Sequence, residues 1–174
     1  RGTDATLVGW KEDFNMAFLP VIPSQADAAD YVTKLGEGFP GKLLLMGHSK
    51  GGNLAAYAGM FCDPEIQKRI ERVYPLDSPG FIGNTLESEE YGRIQSRVHK
   101  VIPKGSLIGM LLENHGAYSV VESNQMGIMQ HDPFSWQVTD GAFHTLEEIS
   151  SGAKYMNKTL NSWITGMSID ERIR

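Results

Sequence analysis

The feature that most constrains this chain is a strand-like apolar run that breaks at a Gly-x-Ser-x-Gly pentapeptide and resumes as an alanine-rich helix. Residues 43–46 are apolar, residues 47–51 read Gly-His-Ser-Lys-Gly, and residues 53–58 are rich in alanine. Glycines two positions before and after Ser49 permit a turn that larger residues would block. The pattern therefore predicts a strand, a tight turn and a helix, with the Ser49 hydroxyl exposed at the edge of a sheet.

Ser49 is a candidate nucleophile because this kind of turn holds a serine hydroxyl away from its own backbone. The alternative is that Ser49 only caps the following helix. A bare Gly-x-Ser-x-Gly motif is weak evidence, but a strand before it and a helix after it are the context in which the motif is specific. The context favours the nucleophile.

The rest of the chain alternates between strand-like and helical patterns. Strand-like runs recur at residues 72–76, 98–102 and 118–122, with helical spacing between the earlier ones. This order predicts an α/β fold, a mostly parallel sheet flanked by helices, in a single domain over residues 1–174. Apolar residues at helical spacing near the end of the chain predict a C-terminal packing helix over residues 143–174.

Composition narrows the classes of partner. The chain has 174 residues, a formal net charge of −5 and a pI near 5.5, so it lacks the basic field that nucleic acids require. No apolar run is long enough for a membrane span, although peripheral lipid contact is compatible with the sequence. No histidine or cysteine spacing suits a metal ion, and we expect no metal and no cofactor. The oligomeric state is left open.

The number of cysteines bears on the cellular compartment. The single cysteine, Cys62, excludes an internal disulfide and suits a reducing cytoplasm, which is the location we expect. The chain opens on Arg1 rather than on methionine, so the sequence leaves open an N-terminal segment before it.

A serine nucleophile needs a histidine as its base, and His131 is the best candidate of five. It follows the last strand-like run, in a proline-containing loop that can bring an imidazole over the serine. His115 is a secondary candidate. His48 lies inside the elbow and is expected to support it, and His144 is expected to begin the C-terminal helix.

The acid that orients the base is Asp77 or, alternatively, Glu122. Asp77 ends the strand that follows the elbow helix, which places it beside the nucleophile. Its other interpretation is an ordinary turn residue in an Asp-Ser-Pro-Gly sequence. Glu122 ends a later strand.

An acyl-transfer site also needs donors for the developing oxyanion. The backbone N–H of the residue after the nucleophile, here Lys50, supplies one donor. A loop after an earlier strand supplies the second, and Thr3 in the sequence Arg1-Gly2-Thr3 is the candidate, with a simple turn as the alternative.

Taken together, Arg1-Gly2-Thr3, the hexapeptide at residues 47–52 and the helix that follows it resemble the class 3 lipase branch of the α/β-hydrolase superfamily. The greatest similarity is to a bacterial lipase-like subgroup, and it extends to about Trp136. The resemblance implies an α/β-hydrolase fold that lacks its earliest strands here. It also implies Thr3 as the oxyanion-hole residue, Ser49 as the nucleophile and His131 as the base.

Two positions depart from that family. Lys50 stands where class 3 lipases usually have a small or apolar residue. Those lipases take their acid from the loop after the strand that follows the one ending near Asp77. Here that loop, residues 102–106, contains no carboxylate. Asp77 as the acid therefore requires that the carboxylate has moved by one strand.

The sequence predicts a serine hydrolase of the esterase or lipase type that cleaves a small-molecule ester or other acyl substrate through an acyl-enzyme. The apolar stretch at residues 106–112, with Met126 and Met129, is a candidate acyl-pocket lining, or simply core. The alternatives are a non-catalytic hydrolase-fold module that binds an acyl ligand or a partner protein, and hydrolysis of an amide.

Overall fold

Strands and helices alternate along most of the chain. The computed structural model describes residues 21–112 and 116–166. Its helices are α1 (Pro23–Gly38), α2 (Lys50–Phe61), α3 (Pro64–Gln67), α4 (Glu89–Ile94) and α5 (Ser151–Gly166). Its strands are β1 (Leu43–His48), β2 (Ile70–Leu76), β3 (Lys100–Pro103), β4 (Tyr118–Val121), β5 (Val138–Thr139), β6 (Ala142–Phe143) and β7 (Thr145–Leu146).

The main sheet has five strands in the order β1-β2-β3-β4-β7. The first four strands are parallel, and β7 pairs antiparallel with β4 at one edge. The predicted α/β architecture, a mostly parallel sheet flanked by helices, is confirmed. Its four parallel strands end at one edge, and the side chains that follow those ends therefore lie close together.

Three apolar clusters hold the layers together. The largest lies between the sheet and α1, α2 and α4, and Val73 and Ile94 at its centre are fully buried. On β3, successive side chains point to opposite faces: Ile102 packs with Ile149 and Ala153 beside α5, whereas Val101 packs with Trp136. Both faces of the sheet are thus covered where the strands end.

The expected helix over residues 143–174 is corrected by the structure. α5 begins only at Ser151, and residues 142–143 and 145–146 form the short strands β6 and β7. Asp140 and Gly141 form a two-residue turn with positive φ, which closes the β5–β6 hairpin. The apolar spacing predicted a helix that begins too early. Leu146 packs against the same apolar cluster as Ile149 and Ala153, but it does so from strand β7, which pairs with β4. Residues 167–174 lie outside the described residues.

Asn53 joins three elements around the start of α2. Its side chain is 2% exposed, and its Oδ1 accepts a hydrogen bond from Gln25 Nε2 of α1 at 2.7 Å. Its Nδ2 donates to the carbonyl oxygen of Gly80 at 2.7 Å, in the loop after β2. One buried amide therefore links α1, the elbow helix and the loop that follows Asp77.

We expect Asn53→Ala to lower the free energy of unfolding by about 2 kcal/mol, because it leaves buried groups of Gln25 and Gly80 without this partner. Asn84→Ala is the matched control, since Asn84 is exposed. Urea unfolding followed by circular dichroism measures both. Equal stability of the two variants would show that the amide does not tie these elements together.

Candidate active site

The turn between β1 and α2 is the tight strand-to-helix turn that the sequence predicted, but the expectation that Gly51 is sterically required is wrong. Ser49 has φ 56° and ψ −129°, a left-handed conformation that is rare for a residue with a side chain. A Cβ added at Gly47 would lie 2.1 Å from the carbonyl oxygen of Gly51, and one at Gly52 would lie 2.6 Å from Ser78 Cβ. Space around Gly51 is open, so the close approach demands glycine at positions 47 and 52 and not at 51.

Ser49, His131 and Asp77 form one hydrogen-bonded chain. His131 Nε2 lies 3.0 Å from Ser49 Oγ, and His131 Nδ1 lies 2.7 Å from Asp77 Oδ2. With the ring proton on Nδ1, the imidazole donates to the carboxylate and presents Nε2 as an acceptor to the serine hydroxyl. Asp77 is 1% exposed and the His131 side chain is 26% exposed, so the imidazole is the partner that faces solvent.

The sheet explains why the serine and the acid meet. Ser49 and Asp77 each directly follow a strand, and β1 and β2 are parallel neighbours. The Ser49 N–H donates to the carbonyl oxygen of Leu76, and the Asp77 N–H donates to that of Val101, so both backbones continue the ladder before they turn. Asp77 also has a positive φ, 39°. Two strained residues thus stand side by side at the same edge.

His131 is brought to this edge by a segment of short turns after β4. It ends a 3₁₀ helix, Gly127–His131. Trp136 Nε1 donates to the carbonyl oxygen of Gln130, and Gln130 Oε1 accepts from the Gly105 N–H. The indole is buried against the sheet, so it anchors the backbone next to His131.

His48 makes a further contact to His131. Its Nε2 lies 2.7 Å from the carbonyl oxygen of His131, and the two rings are 4.5 Å apart. Burial, and secondarily the proximity of His131, lower the pKa of His48 below its ordinary value. The neutral ring can donate its Nε2 proton to that carbonyl, which attaches the His131 loop to the end of β1.

The Asp77 carboxylate is held by three donors. Besides His131 on Oδ2, its Oδ1 accepts from Ser106 Oγ at 2.5 Å and from the Gly109 N–H at 3.0 Å. Sequence reasoning missed Ser106 and Gly109. The available signal was that Ser106 follows β3, which ends at the same edge of the sheet.

Several other candidates are placed elsewhere. The alternative acid, Glu122, pairs with His144 Nδ1 at 2.8 Å and makes no hydrogen bond to His131. His144, expected at the start of the C-terminal helix, lies between β6 and β7 instead. Thr3 and His115 lie outside the described residues.

Lys50 begins α2 directly after the serine. Its side chain is buried, with 6% of the residue exposed, and so does not project freely into solvent beside Ser49. Its backbone N–H belongs to the first helical turn, where amides point out of the helix N-terminus and favour negative charge. This position suits an oxyanion donor.

A further lysine, Lys100, lies near the Asp77 carboxylate. It is half-buried at the start of β3, and its Nζ donates to the carbonyl oxygen of Gly109 at 2.6 Å. Burial lowers the pKa of Lys100 from 10.5 to about 7, against the opposing attraction of the Asp77 carboxylate. The structure therefore places a titratable ammonium group within the field of the acid.

Among the residues that the structure describes, no three His, Cys, Asp or Glu side chains group closely enough to hold a metal ion. Within residues 21–112 and 116–166, no helix has both the length and the apolar character required to cross a membrane.

Sequence comparisons identify a family without identifying a reaction. A family model described as Mbeg1-like matches residues 1–174. No curated protein shows a significant match to the chain. The family description names no substrate and no reaction.

We expect Lys100→Met to remove a rise in stability between pH 7 and pH 10.5. In that interval the unfolded chain keeps the lysine proton that the folded protein has already lost, so the free energy of unfolding increases with pH in the unmodified protein. Lys158→Met, on an exposed position of α5, should retain the increase. Urea unfolding across this interval tests it, and parallel pH curves for the Lys100 variant and the unmodified protein would contradict the assignment.

Proposed function

The chain belongs to the Mbeg1-like family, and we propose that this member is a serine hydrolase of the esterase or lipase type with an α/β-hydrolase fold. The observation that carries the proposal is the hydrogen-bonded chain from Ser49 Oγ through His131 to Asp77. Support also comes from the strained turn at Ser49, because strain of this kind persists where the position of one side chain matters.

The proposed reaction proceeds through an acyl-enzyme. Ser49 Oγ attacks the carbonyl carbon of the ester while His131 Nε2 takes its proton. The negative charge that develops on the carbonyl oxygen is stabilised by the Lys50 N–H at the start of α2. Nε2 then returns the proton to the departing alcohol. A water activated by the same nitrogen hydrolyses the acyl-enzyme and releases the acid.

Asp77 supports this cycle without exchanging a proton itself. Its carboxylate keeps the His131 proton on Nδ1, so that Nε2 remains available as the base. It also balances the positive charge on the imidazole after the serine proton has been taken. Burial of the carboxylate increases both effects, since the local dielectric is lower than that of water.

The surroundings of His131 suit an apolar acyl group. Four large apolar side chains from the same segment are exposed, with Phe134 at 97%. The others are Met126, Ile128 and Met129. Such a group of exposed apolar residues beside a candidate base suits contact with an acyl chain or with the surface of a lipid layer.

The first test is covalent labelling of the purified protein with a fluorophosphonate probe, read by intact mass. We expect one adduct on Ser49, no adduct in Ser49→Ala, and labelling slowed roughly a thousandfold or more in His131→Ala, because the hydroxyl then lacks its base. Ser96→Ala is the control, since Ser96 is exposed and remote from these contacts. An unlabelled but folded protein would refute the proposal and favour a non-catalytic module that binds acyl ligands.

A paired substitution tests the identity of the acid. We expect Asp77→Ala to slow labelling by at least roughly a hundredfold, because the imidazole loses the group that sets its tautomer. Glu122→Ala should leave the rate unchanged, since Glu122 contacts His144. The reverse result, a slow Glu122 variant and a normal Asp77 variant, would transfer the role to Glu122.

A further inference from the structure

The segment at residues 106–112, which we call the clamp segment, holds the side of the Asp77 carboxylate that faces away from the base. Ser106 Oγ and the Gly109 N–H both donate to Oδ1, which leaves Oδ2 to accept the hydrogen bond from His131 Nδ1. Ser106 is 1% exposed. The segment was expected to line an acyl pocket, but these two residues contact the acid instead.

The clamp segment fits the carboxylate closely. A Cβ added at Gly109 would lie 2.4 Å from Asp77 Oδ1 and 2.8 Å from Ser106 Oγ, so no larger residue could bring its amide to this distance without moving the acid. On the other side, the Gly80 N–H donates to the carbonyl oxygen of Leu111, which ties the segment to the loop after Asp77.

Helix α5 holds the clamp segment through two asparagines. Asn157 Nδ2 donates to the carbonyl oxygen of Ser106 at 3.0 Å. Asn161 Nδ2 donates to the carbonyl oxygen of Met110 at 2.9 Å, and its Oδ1 accepts from the Leu112 N–H at 2.8 Å. Residues four apart share one face of a helix, so both amides reach the same segment.

Packing alone does not require these asparagines. Ala153 attaches α5 to the sheet through apolar contacts. A helix that only packed against the sheet would have apolar residues at the next positions on the same face. Asn157 is instead 4% exposed, where an amide is costly unless it is hydrogen-bonded: its Nδ2 bonds the clamp segment, and its buried Oδ1 has no partner among the described residues. Both asparagines bond backbone groups of the clamp segment.

We propose that α5 positions the Asp77 carboxylate. Asn157 and Asn161 hold the clamp segment in place, and Ser106 of that segment holds Asp77 through its hydrogen bond. The inference rests on the proposed function, since it concerns how the hydrolytic site is aligned. It also accounts for the departure from the class 3 lipase pattern. The loop after β3, which lacks a carboxylate, provides a hydroxyl that fixes the carboxylate on the neighbouring strand.

Labelling rates on the full chain test this inference. We expect Ser106→Ala and Asn161→Ala each to slow fluorophosphonate labelling of Ser49 roughly tenfold, the size expected for losing one hydrogen bond of a charged group or of its support. Lys158→Ala is the matched control, exposed on the same helix. Circular dichroism and thermal unfolding establish that each variant is folded, and Ser106→Ala keeps the test independent of α5 should Asn161→Ala fail to fold.

A double-mutant cycle separates positioning from general damage. If Ser106 and Asn161 act through Asp77, their substitutions should slow labelling no further when Asp77 is already alanine. A loss of equal size in both backgrounds would overturn the inference, as would labelling at the unmodified rate in the single variants.

A spectroscopic readout distinguishes failure of the inference from failure of the proposed function. The proton that His131 Nδ1 shares with Asp77 should give a downfield proton NMR signal that is lost in His131→Ala. We expect this signal to shift in Ser106→Ala and Asn161→Ala and to stay in place in Lys158→Ala. A protein that shows these shifts without labelling would retain the positioning role and refute the hydrolase, whereas an unchanged signal in a labelled protein would refute only the positioning role.

Discussion

The buried carboxylate of Asp77 is the constraint on which the arrangement of this site depends. A charged group with 1% exposure is stable only if hydrogen bonds replace its water, and here Ser106, Gly109 and His131 supply them. Ser106 and Gly109 come from the clamp segment after β3, and His131 comes from the segment after β4. Satisfying one carboxylate therefore draws the end of β3 and the segment after β4 toward the end of β2.

Strain is concentrated at the same place. Ser49 and Asp77 both have positive φ and both directly follow neighbouring parallel strands. Each conformation costs of order 1–3 kcal/mol, which the surrounding contacts must offset. The close packing of Gly47 and Gly52 and the hydrogen bonds of Asn53 provide such contacts. The core beneath the elbow thus maintains a geometry that an isolated turn would not keep.

The candidate site was predicted unevenly, for physical reasons. Ser49 was identified from local pattern, because the turn depends on residues adjacent in sequence. The choice between Asp77 and Glu122 was open, since both end strands and sequence order does not say which carboxylate reaches the imidazole. The structure pairs Glu122 with His144 and Asp77 with His131. Ser106, Gly109 and the asparagines of α5 were missed because their partners lie about 30 to 50 residues away.

Local patterns in the sequence predict the strand, turn and helix around Ser49 and the α/β class, because periodicity and glycine placement act over a few residues. The predicted start of the C-terminal helix was wrong, because the apolar spacing there is compatible with either a strand or a helix. Which histidine, carboxylate and supporting hydroxyl come together with Ser49 is known only from the tertiary structure. Those contacts depend on strand order and on the path of the loops between strands, and the hydrogen bonds that select them form only when the sheet has brought its strand ends to one edge.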